Sequence, residues 1–280
     1  MDPRVHVIHD PSRAAFDGGG ARPVRIYEWR APAAEAPLVV LSHGTGGGAP
    51  GLAWWAQALC TAGFDVVALD HHGNSYLDDY VPEAFVWWWD RALDVTFVLD
   101  HVTARGPAGV GGFSIGGYTA AAVCGVRVRA DRFEALMTGA LSVGAAPEYP
   151  GLADELQERY DHRTRAAWAE PAAADLRDPR VSAAFLLCPA AGPLLDEASL
   201  AAVEVPVAVR WTAADRMAPP GENGVRYAAL IPGAEGGTVG STESGHYGFV
   251  LPEHDDPQAK ADVAEQSVDF FRRTLMRHVP

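Results

Sequence analysis

The chain reads as an α/β protein built on a mostly parallel sheet of about eight strands flanked by helices. Three observations predict this. Short apolar runs recur without alternation, the pattern of strands buried on both faces. Stretches with helical spacing separate those runs, and regular strand–helix alternation makes parallel neighbours. The length of 280 residues fits one large domain, or a core with a small cap.

The elements follow in order. Residues 5–9 and 24–29 are short β-like runs parted by the turn Asp17-Gly18-Gly19-Gly20, and they predict an antiparallel hairpin at a sheet edge. Residues 38–41, 64–69, 108–113, 182–187 and 205–211 predict buried strands, and residues 237–240 a weaker one. The glycines of 108–113 imply close packing on that strand. Helices are predicted over 52–62, 83–104, 115–124, 223–230 and 258–276, the second ending before Gly106-Pro107. Between about 126 and 178 no strand is legible, while 152–160 and 164–168 read as charged helices. The chain therefore divides into a first core part (1–125), a small helical cap (126–180) and a second core part (181–280). Caps of this kind cover active sites and set access.

Composition narrows the partners. A net charge of −14 excludes the basic footprint that nucleic acid needs. No apolar run approaches the roughly 18 residues of a membrane span. The first residues lack a basic segment followed by an apolar one, so a cytoplasmic location is the expectation. Cys60, Cys124 and Cys188 stand far apart in apolar contexts and read as buried thiols. Asp70-His71-His72 with Asp78-Asp79 lacks ordered ligand spacing, so no metal and no cofactor is expected.

Chemistry concentrates in four places. Gly112-Phe113-Ser114-Ile115-Gly116-Gly117 matches G-x-S-x-G between a buried strand and a helix of small residues. A serine on such a turn is exposed, and residues two positions either side must be small because strand and helix pass closely. The helix start aims free N–H groups at the reacting oxygen. Ser42-His43-Gly44-Thr45-Gly46-Gly47-Gly48 follows the first buried strand and offers further backbone donors. The N–H groups of Thr45 and Ile115 are assigned as the oxyanion hole, and His43 as a residue that holds the loop. Asp215 lies just past a strand end, and His246 follows in Gly245-His246-Tyr247 before the last helix. The order Ser114, Asp215, His246 gives nucleophile, acid and base. His71, His72 and His254 are rival bases, and Asp196 and Glu197 rival acids, without that context. Trp87-Trp88-Trp89 on one continuous helix spans about 200° and cannot share a face. Trp54, Trp88 and Tyr247 are candidates for substrate contact. Arg91, near Asp90 and Asp94, reads as an ion-pair partner.

With these residues in view, the chain resembles the α/β-hydrolase superfamily over nearly its whole length. Ser42-His43-Gly44-Thr45-Gly46-Gly47, Asp70-His71-His72-Gly73-Asn74 and Arg91-Ala92-Leu93-Asp94-Val95-Thr96 further resemble the predicted dienelactone hydrolase group related to platelet-activating-factor acetylhydrolase. Asp178-Pro179-Arg180-Val181 through Pro189-Ala190-Ala191-Gly192-Pro193 adds to that likeness. The resemblance implies an esterase-like enzyme with a serine triad and no metal. Dienelactone hydrolases proper use a cysteine nucleophile, whereas position 114 is Ser.

The expected function is hydrolysis of a small-molecule carboxylic ester or thioester through an acyl-enzyme on Ser114. An acyltransferase passing the acyl group to an alcohol, amine or carrier thiol would use the same triad. A hydrolase fold retained as a ligand-binding protein is a third reading, which the presence of every triad member disfavours.

Overall fold

The structure is a computed structural model that describes residues 2–33, 35–102, 106–142 and 146–276. Its strands are β1 (Arg4–Ala14), β2 (Ala21–Trp29), β3 (Leu38–Ser42), β4 (Asp65–Asp70), β5 (Ala108–Phe113), β6 (Val181–Leu187), β7 (Val207–Trp211) and β8 (Glu235–Thr238). They form one sheet in the order β1-β2-β4-β3-β5-β6-β7-β8. β1 and β2 are the expected edge hairpin, and β2 also lies antiparallel to β4. From β4 to β8 every pairing is parallel.

The helices are α1 (Ala53–Thr61), α2 (Pro82–Val86), α3 (Trp88–His101), α4 (Ile115–Ala122), α5 (Ala130–Met137), α6 (Leu152–Arg159), α7 (His162–Ala167), α8 (Ala169–Ala172), α9 (Glu197–Ala201), α10 (Gly224–Leu230) and α11 (Pro257–Leu275). Continuous apolar strands make sense because successive side chains enter opposite cores. In β3, Leu38 and Val40 join one core, and Val39 and Leu41 the other. The first core lies under α3 and α4 with Val95, Val98 and Tyr118. The second lies under α1 and α11 with Trp55, Phe270 and Phe271. Glycine in β5 lets that second layer approach. A Cβ at Gly109 would stand 2.6 Å from the Phe271 ring, and one at Gly111 2.7 Å from Leu41.

Three sequence expectations are corrected. The helix expected over 83–104 is two helices, α2 and α3, broken at Trp87 (φ −81°, ψ 67°). Trp87 leaves helical geometry and packs on Phe16, Trp89 and Trp168 at ring distances of 5.6–5.7 Å. The tryptophans therefore do not ride one continuous helix. Residues 103–104 of that expectation lie outside the described residues. The last strand is two residues earlier than expected, because Gly236 and Gly237 add no apolar signal. Helices α5, α8 and α9 were not expected; α8 and α9, of four and five residues, are too short to show a period.

Between α4 and β6 the described residues hold α5 to α8 and no strand of the main sheet. Tyr160 of this segment donates to Glu83, and Arg159 pairs with the same carboxylate at 3.5 Å. Cys60, Cys124 and Cys188 are buried, as their apolar contexts predict. No described helix is long and apolar enough to cross a membrane.

Candidate active site

Ser114 stands between β5 and α4 with φ 58° and ψ −122°, a backbone conformation that a residue with a side chain rarely adopts. Its surroundings hold it there. Ser114 N–H donates to Leu187 C=O at 2.9 Å, and its own C=O accepts from Gly117 and Ala190 N–H at 2.9 and 3.1 Å. Glycine at positions 112 and 116 is a steric requirement. A Cβ on Gly112 would lie 1.9 Å from Gly116 O, and one on Gly116 2.1 Å from Ser42 O. Ser114 is half-buried, and no hydrogen bond among the described residues uses its Oγ.

The loop after β3 closes on this turn. A Cβ at Gly44 would meet Ser114 Cβ at 3.2 Å. The N–H groups of Thr45 and Ile115 donate no hydrogen bond among the described residues. Ile115 opens α4, where first-turn N–H groups have no partner within the helix.

Asp215 and His246 meet. Asp215 lies four residues beyond β7, and its Oδ1 accepts from Met217 and Ala218 N–H at 2.9 and 2.7 Å. Its Oδ2 accepts from His246 Nδ1 at 2.7 Å. A carboxylate accepts only, so Nδ1 carries a proton and Nε2 is left outside the pair. Ala214 N–H donates to Ser244 C=O at 3.0 Å and ties the acid's loop to the base's. The His246 ring packs on Phe113, 4.7 Å between centroids, which brings it beside the strand that leads into Ser114. Cys188 was read only as a buried thiol, yet its Sγ, Asp215 and His246 offer atoms within 4.8 Å of one another. Burial and then Asp215 push this thiol up, so it stays S–H beside the pair.

Behind the loop lies a layer that spacing alone did not disclose. His43 Nδ1–H donates to Gly44 C=O at 2.6 Å, and its Nε2 accepts from His71 N–H at 3.1 Å. His71 Nδ1–H donates to Asp94 Oδ2 at 2.9 Å, so its Nε2 accepts from Ser42 Oγ–H at 2.8 Å. Burial, with Arg91 second, lowers His71 to about 3, and both histidines are neutral at physiological pH. Asp94 also binds Arg13 at 2.7 Å and Arg22 at 3.1 Å. Burial works to raise this carboxyl, but Arg22, the His71 hydrogen bond and Arg13 hold it well below the usual range. Arg91, expected as an ion-pair partner, is buried and bonds to uncharged acceptors, not to the acids beside it.

The aromatic candidates separate. Tyr247 adjoins the base and donates from its hydroxyl to Glu148 at 3.2 Å. Glu148 comes from the segment between α5 and α6 and lies over the loop after β3, 2.7 Å from where a Gly46 Cβ would be. Trp54 donates to Phe249 C=O at 3.0 Å and stacks on Trp55 and Phe249. Trp88 donates to Phe85 C=O at 2.9 Å and packs on Tyr118 and Phe133.

No protein-family model and no curated protein matches the sequence. Solved structures do. A ferulic acid esterase from Streptomyces cinnamoneus superposes with TM-score 0.58 at 20% identity, over 100% of this chain and 91% of that one. Carboxylesterase CesB from Bacillus subtilis gives 0.55 at 17%, over 98% and 93%. An alpha-beta serine hydrolase homologue from Coxiella burnetii gives 0.55 at 14%, over 96% and 97%. The chain has the α/β-hydrolase fold, with the eight-stranded, mostly parallel sheet and flanking helices shared by these neighbours.

Proposed function

We propose that the protein is a serine hydrolase that cleaves a carboxylic ester or thioester through an acyl-enzyme on Ser114. The observation that carries this is the Asp215–His246 hydrogen bond through Nδ1, made by a ring packed against the residue preceding Ser114. Ser114 Oγ attacks the acyl carbonyl and its proton passes to Nε2. Asp215 steadies the imidazolium. The tetrahedral oxyanion takes the uncommitted N–H groups of Thr45 and Ile115. Collapse expels the alcohol or thiol, which takes the proton from Nε2. Water then repeats the sequence on the acyl-enzyme, with His246 as base, and releases the carboxylic acid.

The neighbours' description as esterases supports an ester substrate. Residues 126–180 serve as a cap in this reading, with Glu148 reaching from them to Gly46 and Tyr247. Tyr247 contacts the substrate directly, while Trp54 and Trp88 back the walls from one layer behind. The test is intact-mass spectrometry after incubation with p-nitrophenyl esters and acyl thioesters, alongside Ser114→Ala. Transient acyl adducts in the wild type, absent from the variant, are expected. Adducts that persist in Ser114→Ala would overturn the assignment.

A further inference from the structure

The acyl-transfer steps make no use of the buried Arg91. Arg91, on α3, is 1% exposed. Its hydrogen bonds among the described residues all go to uncharged acceptors, and Asp94, three residues on, is occupied by Arg13, Arg22 and His71. Burial pushes the guanidinium down to about 9, so it is charged at neutral pH. A buried charge without a contacting counter-ion weakens a fold, and stability does not account for it.

Its acceptors do. Nη2 donates to His43 C=O and, at 3.5 Å, to Ser42 Oγ. Nη1 donates at 3.0 Å to Asn74 Oδ1, which also accepts from Gly46 N–H at 3.0 Å. Nε donates at 3.2 Å to Thr119 Oγ1, whose hydroxyl donates to Ile115 C=O at 3.0 Å. One planar group therefore grips the β3 loop on both sides of Thr45 and the first residue of α4. Those two segments carry the two oxyanion donors.

We infer that Arg91 is a positioning residue that fixes the separation and aim of the Thr45 and Ile115 N–H groups, an inference resting on the oxyanion assignment proposed above. Three N–H directions held in one plane are what arginine offers and lysine does not. Errors of about 1 Å in such placement cost roughly 10²-fold in rate.

The test compares wild type, Arg91→Lys and Thr119→Val by steady-state hydrolysis of a p-nitrophenyl ester. It adds inhibition by a trifluoromethyl ketone, which forms a tetrahedral adduct on the serine. Arg91→Lys is expected to lower kcat roughly 10- to 100-fold with KM within about threefold, a loss confined to the transition state. Ketone affinity should fall by the same factor as kcat/KM. Thr119→Val, which severs only the helix arm, should lose roughly 3- to 10-fold in kcat, and it carries the test if Arg91→Lys does not fold. Unchanged kcat/KM in a folded variant, or unchanged ketone affinity beside a lower kcat, would overturn the inference. Wild-type protein that fails to react with a fluorophosphonate would instead refute the serine-hydrolase reading itself.

Discussion

Two sets of Ser, His and Asp stand in this molecule, and the one with the complete hydrogen-bond chain is not the one proposed for catalysis. Ser42, His71 and Asp94 make an unbroken chain, 2.8 Å from Oγ to Nε2 and 2.9 Å from Nδ1 to Oδ2. All three are sealed from solvent. Ser114 Oγ makes no such bond among the described residues, although Asp215 and His246 meet at 2.7 Å. Surroundings separate the two. Ser42 ends a regular strand inside the core, whereas Ser114 is half-buried at a positive φ beside two uncommitted N–H groups. A catalytic base must carry charge in the transition state. Burial and Arg91 oppose charge on His71. In the proposed chemistry the first trio is a brace under the loop, and the second is the reactive set. Hydrogen-bond geometry alone does not identify a triad; access and charge balance do.

The largest expected effect separates the two serines. Ser114→Ala should cost on the order of 10⁴- to 10⁶-fold in kcat. Ser42→Ala should lower kcat no more than about tenfold and cost roughly 1–3 kcal/mol in urea unfolding. Comparable losses of rate in both would erase the distinction. The acids should split the same way. Asp215→Asn should lower kcat roughly 10⁴-fold with little change in melting temperature, because the amide no longer fixes the His246 tautomer. Asp94→Asn leaves Arg13 and Arg22 under-compensated and should cost about 3–5 kcal/mol in stability.

A smaller effect concerns the elbow. The Cβ of Gly116→Ala would press on Ser42 O, which should cost on the order of 1–3 kcal/mol and lower kcat. Denaturation and kinetics on the same preparation check it. The brace also predicts a pH dependence. Unfolded His71 takes up a proton near its ordinary 6.5, whereas the folded residue does so only near about 3. Unfolding therefore binds a proton in that window, and stability falls as pH drops through it. Urea unfolding between pH 7 and 4 should show a shallower acid loss in His71→Gln than in wild type, and equal slopes would contradict it. Least of all, Tyr247→Phe removes one hydroxyl bond to Glu148 and should change KM only about two- to fivefold.

Much of this was legible from residues. The β5–Ser114–α4 turn was readable because glycine at 112 and 116 answers a backbone clash, and composition carries that directly. Asp215 and His246 were readable because each follows a parallel strand at its carboxyl end, where such sheets place their sites. The break at Trp87 was not, since it answers ring packing from Phe16 and Trp168, far away in sequence. Arg91 was misread for a related reason. Near neighbours in sequence offered it two acids, but the fold turned it toward the carbonyl and amide oxygens of a distant loop. Glu148 carried no local signal at all, because its position over Gly46 exists only after residues 126–180 fold back on the core.

The most direct measurement is fluorophosphonate labelling followed by peptide mapping of the modified serine in wild type, Ser42→Ala and Ser114→Ala. The proposed acyl-enzyme chemistry requires one label, on Ser114, in wild type and in Ser42→Ala, and none in Ser114→Ala. A label on Ser42, or one retained in Ser114→Ala, would contradict it.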